Sequence, residues 1–331
     1  MKRKGTVTIN DVARHVGLTN ITVSRAFKQP DKVKPATRER IMEAARELGY
    51  VPNAFASQLR SSKSRLIGAV IASIDNPFYS EAIKAISREA KARGYDILLM
   101  DTDGDSDIEA AAIQTLLSYQ VAGIILSPVS DALDYHPAYI ETLRDAQLPL
   151  VMLDRTLPVE DFSRVVLDNR KAGWLIGNAM LKRKLDQALV LTGPANSYIT
   201  QQRLQGLRDA YQQADTAVTL DPREGLYNFE PAYDAVMHYL SESGHPSAIV
   251  GLNQLMTLGA LSALHDIGIS YRDATVLGVD QLPYCSIFDI RIPTTRFDAS
   301  HAGHQAIHLL LSRIANPDAP PQRVVIDCTM E

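Results

Sequence analysis

Seven short apolar runs punctuate the chain: LIGAVIASI (66–74), DILLM (96–100), VAGIILSP (121–128), LPLVMLD (148–154), QALVLTGP (187–194), SAIVGLN (247–253) and ATVLGVD (274–280). Helical patterns fill the intervals. Near-continuous apolar runs are strands covered on both faces, and strands alternating with helices build a parallel sheet closed by crossover helices. The number of runs predicts two doubly wound subdomains in series, with the break near Asp161 to Asp168. Later strands around Pro293 to Asp298 and Arg323 to Cys328 are expected to cross back between them. The boundaries read this way are 66–163 with 298–322 for the first subdomain, and 164–297 with 323–331 for the second.

The residues ahead of the first run have a different character. Positions 1–66 carry fourteen Lys and Arg against five Asp and Glu, whereas the remaining 265 carry 20 basic against 33 acidic residues, so a cationic front precedes an anionic body. A local positive module of this kind suits a polyanion, because neutralising phosphates and releasing their counterions needs charge concentrated in one place. No apolar run approaches the roughly 18 to 20 residues that span a bilayer, and MKRKGTVTIND lacks the apolar stretch of a signal peptide, so no membrane partner and a cytoplasmic location are expected. Cys285 and Cys328 stand far apart without C-x-x-C spacing, which reads as buried reduced thiols.

Within the cationic front, Thr8 precedes the apolar set Ile9, Val12, Ala13 and Val16, and Asp11 follows it by three, a variant capping box opening a first helix. Gly17 supplies a turn and Thr19 a cap for a second helix. At 100° per residue, Asn20, Ile21, Ser24 and Arg25 share one face of that helix while Val23, Ala26 and Phe27 point away. A third helix is expected from Pro35 to Leu48, ended by Gly49. Two short helices joined by a tight turn, the second presenting amide and guanidinium groups, form a helix-turn-helix, whose second helix fits the major groove.

These residues resemble the LacI/GalR (lac repressor) family. The pattern T-x-x-D-V-A-x-x-x-G-(V/L)-(S/T)-x-x-T-V-S-R is met by Thr8 to Arg25, and T-R-E-R-I-x-x-A-x-x-E-L-G-Y-x-P-N by Thr37 to Asn53. The resemblance extends over essentially the whole chain. It implies an all-α helix-turn-helix head (1–52), a hinge helix and linker (53–65), and an α/β periplasmic-binding-protein-like core (66–331) of two doubly wound parallel-sheet subdomains. By the same resemblance, Asn20, Ile21 and Arg25 read base edges, and Thr8, Thr22, Ser24, Lys32 and Thr37 contact or approach phosphates. Lys34 departs from the family's usual capping Ser and adds a phosphate-directed charge. Ile21 has no polar group, so it would touch a thymine methyl or act through shape. The segment NAFASQLR, with Asn53, Ala56 and Leu59, is too short to be a stable helix alone and would order on DNA, Leu59 wedging into a minor-groove step.

Ligands of doubly wound sheets sit beyond the carboxyl ends of the strands. The residues there are Asp75 to Tyr79, Asp101 to Asp103, Ser127-Pro128, Asp154-Arg155, Pro194 to Ser197, Asn253-Gln254 and Asp280-Gln281. Hydrogen-bonding groups beside aromatic rings suit a hydroxyl-rich molecule. The resemblance places effector contacts at Phe78, Tyr79, Asp154, Arg203, Tyr227, Asn253, Asp280 and Asp298. Arg155 and Arg203, with fewer carboxylates than relatives often carry, point to an anionic effector such as a sugar acid or sugar phosphate. RAFKQPDKV (25–33) is similar to gluconate-type regulators, which favours gluconate or 2-ketogluconate; a sugar-phosphate or neutral-sugar regulator, or a sugar receptor without a DNA role, are the alternatives. DTDGDSD (101–107) lacks the glycine and glutamate positions of a calcium loop, and His301, His304 and His308 lack further ligands, so no metal or cofactor is expected. GxGxxG, Walker A and GxSxG motifs are absent, so no enzyme activity is expected. The expected partners are pseudo-palindromic double-stranded operator DNA, a small sugar-type effector and a second copy of the chain. The chain ends at Glu331 with no room for a heptad helix, which favours a dimer over a tetramer.

Overall fold

In the computed structural model of the chain, the described residues are 7–51, 64–271, 274–288 and 290–331. They fall into two units, Met1–Ser64 and Arg65–Glu331. The first contains α1 (Ile9–Val16), α2 (Asn20–Lys28), a 3-10 turn at Pro30–Lys32, and α3 (Pro35–Leu48). The Asp11 carboxylate accepts hydrogen bonds from the Thr8 amide at 2.9 Å and the Thr8 hydroxyl at 2.7 Å, which hold its pKa below the ordinary aspartate range. Gly17 and Gly49 close α1 and α3 at φ 69°, in the left-handed region that a residue without Cβ enters most easily. The Thr19 hydroxyl accepts from the Thr22 amide at 3.3 Å at the start of α2. Lys34 occupies the N-cap of α3 without a side-chain capping bond, and Pro35 follows at the first helical position, where no amide partner is needed. Val12, Val23, Ala26 and Ile41 are fully buried between the helices. Each buried Val or Ile contributes about 1.5 to 3 kcal/mol.

The second unit begins β1 (Leu66–Ile71), α4 (Pro77–Ala92), β2 (Asp96–Asp101), α5 (Ser106–Ser118), β3 (Gly123–Leu126), α6 (Tyr139–Asp145), β4 (Leu150–Leu153) and β5 (Ser163–Leu167). It continues with α7 (Asn169–Lys182), β6 (Gln187–Thr192), α8 (Tyr198–Gln213), β7 (Thr219–Glu224), α9 (Phe229–Ser243), β8 (Ala248–Gly251), α10 (Gln254–Asp266) and β9 (Thr275–Gly278). The last elements are a 3-10 turn at Cys285–Phe288, β10 (Thr295–Phe297), α11 (Ala299–Ala315), β11 (Arg323–Ile326) and β12 (Cys328–Met330).

Two parallel sheets result, ordered β11-β5-β4-β3-β1-β2 and β7-β6-β8-β9, each with its first strand flanked by its next two, so the strand order reverses at β1 and at β6. Those reversals are the crevices where doubly wound sheets take ligands. The antiparallel pair β10–β12 makes a separate small ribbon, and a parallel bridge joins Thr294 to Gly278 at the end of β9.

Two features differ from the sequence reading. The strand β5 and the late strand β11 pair in parallel with each other inside the first sheet, so residues 164–167 and 323–326 belong to the first lobe and not to the second. The chain passes between lobes after β5, β10 and β11, at Asp168, Asp298 and Asp327. SRVVL alternates buried and half-buried positions, which is why it does not stand out as a fully apolar run. The other difference is β7, whose sequence TLDPRE is polar and contains Pro222; it lies at a sheet edge, where proline is tolerated.

Helices α7 and α8 touch backbone to backbone. A Cβ added at Gly206 would lie 1.8 Å from the Arg170 carbonyl oxygen, and one at Gly173 would lie 1.9 Å from that of Arg203. Gly206→Ala is therefore expected to lower stability by about 3 kcal/mol, the upper end for overpacking, measured by urea unfolding; at an exposed helix position the same change would stabilise by about 1 kcal/mol.

Candidate functional site

The first unit exposes one face of α2. Ile21 is 64% exposed, and Asn20 and Arg25 are also exposed, whereas Val23 and Ala26 on the opposite side are fully buried. That face therefore offers an apolar side chain beside an amide and a guanidinium, free of contact with the helical core. Thr8, Lys32 and Lys34 are exposed, and Thr22, Ser24 and Thr37 half-buried. The Arg40 guanidinium donates to the Val16 carbonyl at 3.2 Å, tying α3 to the end of α1. Asn53, Ala56 and Leu59 lie outside the described residues.

In the second unit, residues from both lobes converge at the carboxyl ends of the strands. A cavity of about 30 Å³ is lined by Phe78, Tyr79, Asp154, Arg155, Arg203, Tyr227, Asn253 and Asp280, together with Asn76, Leu167 and Ile199. The Tyr79 hydroxyl lies 2.7 Å from Ser127 Oγ and donates to Asp154 Oδ2 at 2.8 Å, so one phenol ties α4 to the ends of β3 and β4. Burial, with the nearby Asp154 charge, raises the Tyr79 pKa far above the ordinary phenol. The other Asp154 oxygen, Oδ1, is buried with no hydrogen-bond partner. Burial also raises the pKa of Asp154, against the opposing pull of Arg203 and Arg155.

Arg203, 5% exposed, is held at its root by the close packing of α7 and α8. Its Nε donates to Asn169 Oδ1 at 2.8 Å, and Nη1 donates to the Leu252 carbonyl. Its charge offsets both Asp154 and Asp280. Asp280 Oδ1 accepts from the Phe297 amide at 3.2 Å, and burial pushes its pKa up to about 6. Tyr227 has φ 60°, strained for a bulky residue, and is fastened at both ends. Its carbonyl accepts from Asn253 Nδ2 at 2.8 Å, and its hydroxyl lies 2.7 Å from Thr200 Oγ1 and 3.1 Å from Ser197 Oγ. Gly193 makes room for that ring, since a Cβ there would sit 2.0 Å from it.

Two contacts join the lobes across the site. Asp131 Oδ2, on the loop after β3, accepts from the Ile199 amide at 2.7 Å, at a helix N-terminus that favours an anion. The Arg155 guanidinium donates to the Val129 carbonyl at 2.6 Å and stands 5.2 Å from the centre of the Tyr227 ring. This pair partitions the small cavity from a neighbouring one of about 260 Å³ lined by Ser73, Asp103, Ser130 and Asn196, among others. Buried Glu109 anchors the loop that supplies Val129 and Asp131. Its carboxylate accepts from the Val129 amide and the Tyr135 and Tyr139 hydroxyls, at 2.6 to 2.8 Å.

Eight of the nine residues expected to meet an effector line the small cavity. Asp298 does not: it stands at a crossover between lobes, where its Oδ1 accepts from the His301 amide at 2.7 Å and caps α11. Asp131 and Asn169 were not anticipated. Asp131 lies a few residues past an apolar run, and Asn169 follows the unrecognised β5, so position after a strand was the available signal. Among the described residues no group of His, Cys, Asp and Glu could hold a metal ion, and no helix is long and apolar enough to cross a membrane.

Residues 8–53 match the family model for bacterial regulatory proteins of the lacI family, and residues 64–330 match that for periplasmic binding proteins and the sugar binding domain of the LacI family. The chain is 29% identical over 321 residues to the ribose operon repressor of Escherichia coli (strain K12), covering 96% of each. It is 28% identical over 333 residues to the HTH-type transcriptional repressor CytR of Escherichia coli (strain K12), covering 99% of this chain and 96% of that one. The solved lac repressor dimer bound to operator and the anti-inducer ONPF superposes with a TM-score of 0.79 at 24% identity, over 98% of this chain and 97% of that one.

The raised pKa of Asp280 sets a pH dependence. Unfolded, the carboxyl has its ordinary value of 3.8; folded, about 6. Between those values the folded state binds more protons, so this group's contribution to stability falls as pH rises through the window and stays unfavourable above it, by roughly 3 kcal/mol. Asp280→Asn is expected to raise the thermal midpoint at pH 8, with the gain gone near pH 4, as measured by thermal unfolding at both values.

Proposed function

The chain belongs to the LacI family of bacterial regulatory proteins, and from that premise we propose that it is a cytoplasmic, sequence-specific DNA-binding repressor of carbohydrate-catabolism genes, controlled by a small polyhydroxylated effector. A homodimer presents two heads to a pseudo-palindromic operator. The exposed face of α2 carries the base readers Asn20, Ile21 and Arg25, in a segment with nine more basic than acidic residues. Effector occupancy of the cleft shifts the arrangement of the two lobes and thereby the affinity for DNA.

The effector reading rests above all on Asp154 Oδ1. A buried carboxylate oxygen without a donor is costly, and a ligand hydroxyl placed in the cavity supplies that donor. Among polyhydroxylated compounds the choice falls on a sugar acid such as gluconate or 2-ketogluconate. Arg155 and Arg203 contribute two positive charges to the lining, and a guanidinium holds a carboxylate or phosphate bidentately. Calorimetry with gluconate, 2-ketogluconate and fructose phosphates, against neutral sugars, tests this. Tight binding of the acids supports the reading, and tight binding of a neutral sugar alone overturns it.

For the DNA half, the full chain should bind fragments from the neighbourhood of its own gene with an affinity that falls steeply with salt. Arg25→Ala is expected to lose roughly 1 to 3 kcal/mol of discrimination between operator and unrelated duplex, read by competition anisotropy. Equal discrimination before and after the change would reject Arg25 as a base reader.

A further inference from the structure

We propose that Asn10 is a positioning residue for base reading, holding the Asn20 side-chain amide in the orientation that pairs with adenine. The proposal rests on the DNA-binding reading given above and deepens it. Asn10 is the second residue of α1 and Asn20 the first of α2, and both side chains are exposed. Across the turn at Gly17, Asn20 Nδ2 donates to Asn10 Oδ1.

That single bond decides what Asn20 can read. One amide hydrogen is engaged with Asn10, leaving Asn20 with one free N–H and a carbonyl oxygen. Adenine's major-groove edge offers an acceptor at N7 and a donor at N6, the complement of that remaining pair. Guanine offers two acceptors, N7 and O6, and so asks for two donors. Against Asn10 Oδ1, flipping the Asn20 amide alone would set two acceptors face to face, whereas flipping both amides would reverse the bond and leave Asn20 two donors, the complement of guanine; Asn10→Asp, which can only accept, therefore separates the two arrangements. Released from Asn10, the amide could turn its donors to guanine or thymine, or its oxygen to cytosine. The neighbouring groups do not compete for the bond: Thr22 Oγ1 lies 3.0 Å from Thr19 Oγ1, and the Asp11 carboxylate is engaged by Thr8.

The experiment is selection from a randomised duplex pool with the full chain, followed by competition anisotropy with single-base changes. The unsubstituted chain should prefer adenine at one position of each half-site by on the order of tenfold, the discrimination a bidentate contact provides. Asn10→Ala should reduce that preference to about twofold or less, leaving the preferences at other positions and the salt dependence unchanged, and adding Asn20→Ala should cause little further loss at that position. Asn10→Asp keeps the acceptor and should restore the adenine preference, with weaker binding to every duplex because it brings a negative charge to the phosphates. Thermal unfolding of the variants should match the unsubstituted chain, since Asn10 is exposed. An adenine preference that survives Asn10→Ala but not Asn20→Ala overturns the proposal while sparing the DNA-binding reading, as does an operator with no adenine-specific position. Failure of the unsubstituted chain to bind any duplex overturns both.

Discussion

The cleft depends on one buried guanidinium. Arg203 is placed by the backbone contact of α7 with α8, and from there it ties the start of α7 to the end of β8 through Asn169 and the Leu252 carbonyl. Its charge also makes it possible for Asp154 and Asp280 to share a space from which water is largely excluded. Removing it would leave Asp154 and Asp280 without that counter-charge and the Asn169 Oδ1 and Leu252 carbonyl acceptors unmatched, far more than the loss of one hydrogen bond. The glycines that let the helices meet are thus part of the chemistry of the site, although neither lines the cavity.

Much of this organisation is legible in the sequence, for a physical reason. Strands of a parallel sheet are covered on both faces, so β1, β3, β4, β6, β8 and β9 appear as unbroken apolar runs, and the residues after such runs are where ligands meet the fold. The same logic explains the omissions. The strands β5 and β7 are half-exposed or at an edge, so their polar residues hide them, and with β5 went Asn169 and the membership of 164–167 in the first sheet. Asp131 follows β3 at some residues' distance, and its role comes from a tertiary encounter with α8 that its position after the strand does not reveal. Asp298, placed at the effector by the resemblance alone, caps α11 and stands outside the lining of the small cavity.

The two units rest on different physics. The three helices around Val12, Val23 and Ile41 keep a small apolar interior and leave their polar groups on the surface, where screening by salt governs their attraction to a polyanion. The cleft keeps its polar groups inside, where low dielectric makes each charge depend on its partners and changes of occupancy are felt by the whole cluster. A polyanion partner and a small polar effector therefore act on electrostatic environments that differ in almost every respect.

With Asp131 bonded to α8 and Arg155 set against Tyr227, the two lobes are pinned to each other beside the cavity by a hydrogen bond at a helix start and a cation over a ring. A hydrogen bond is lost once its atoms part by about an ångström, so these two contacts register any change in the spacing of the lobes long before the core of either lobe is disturbed.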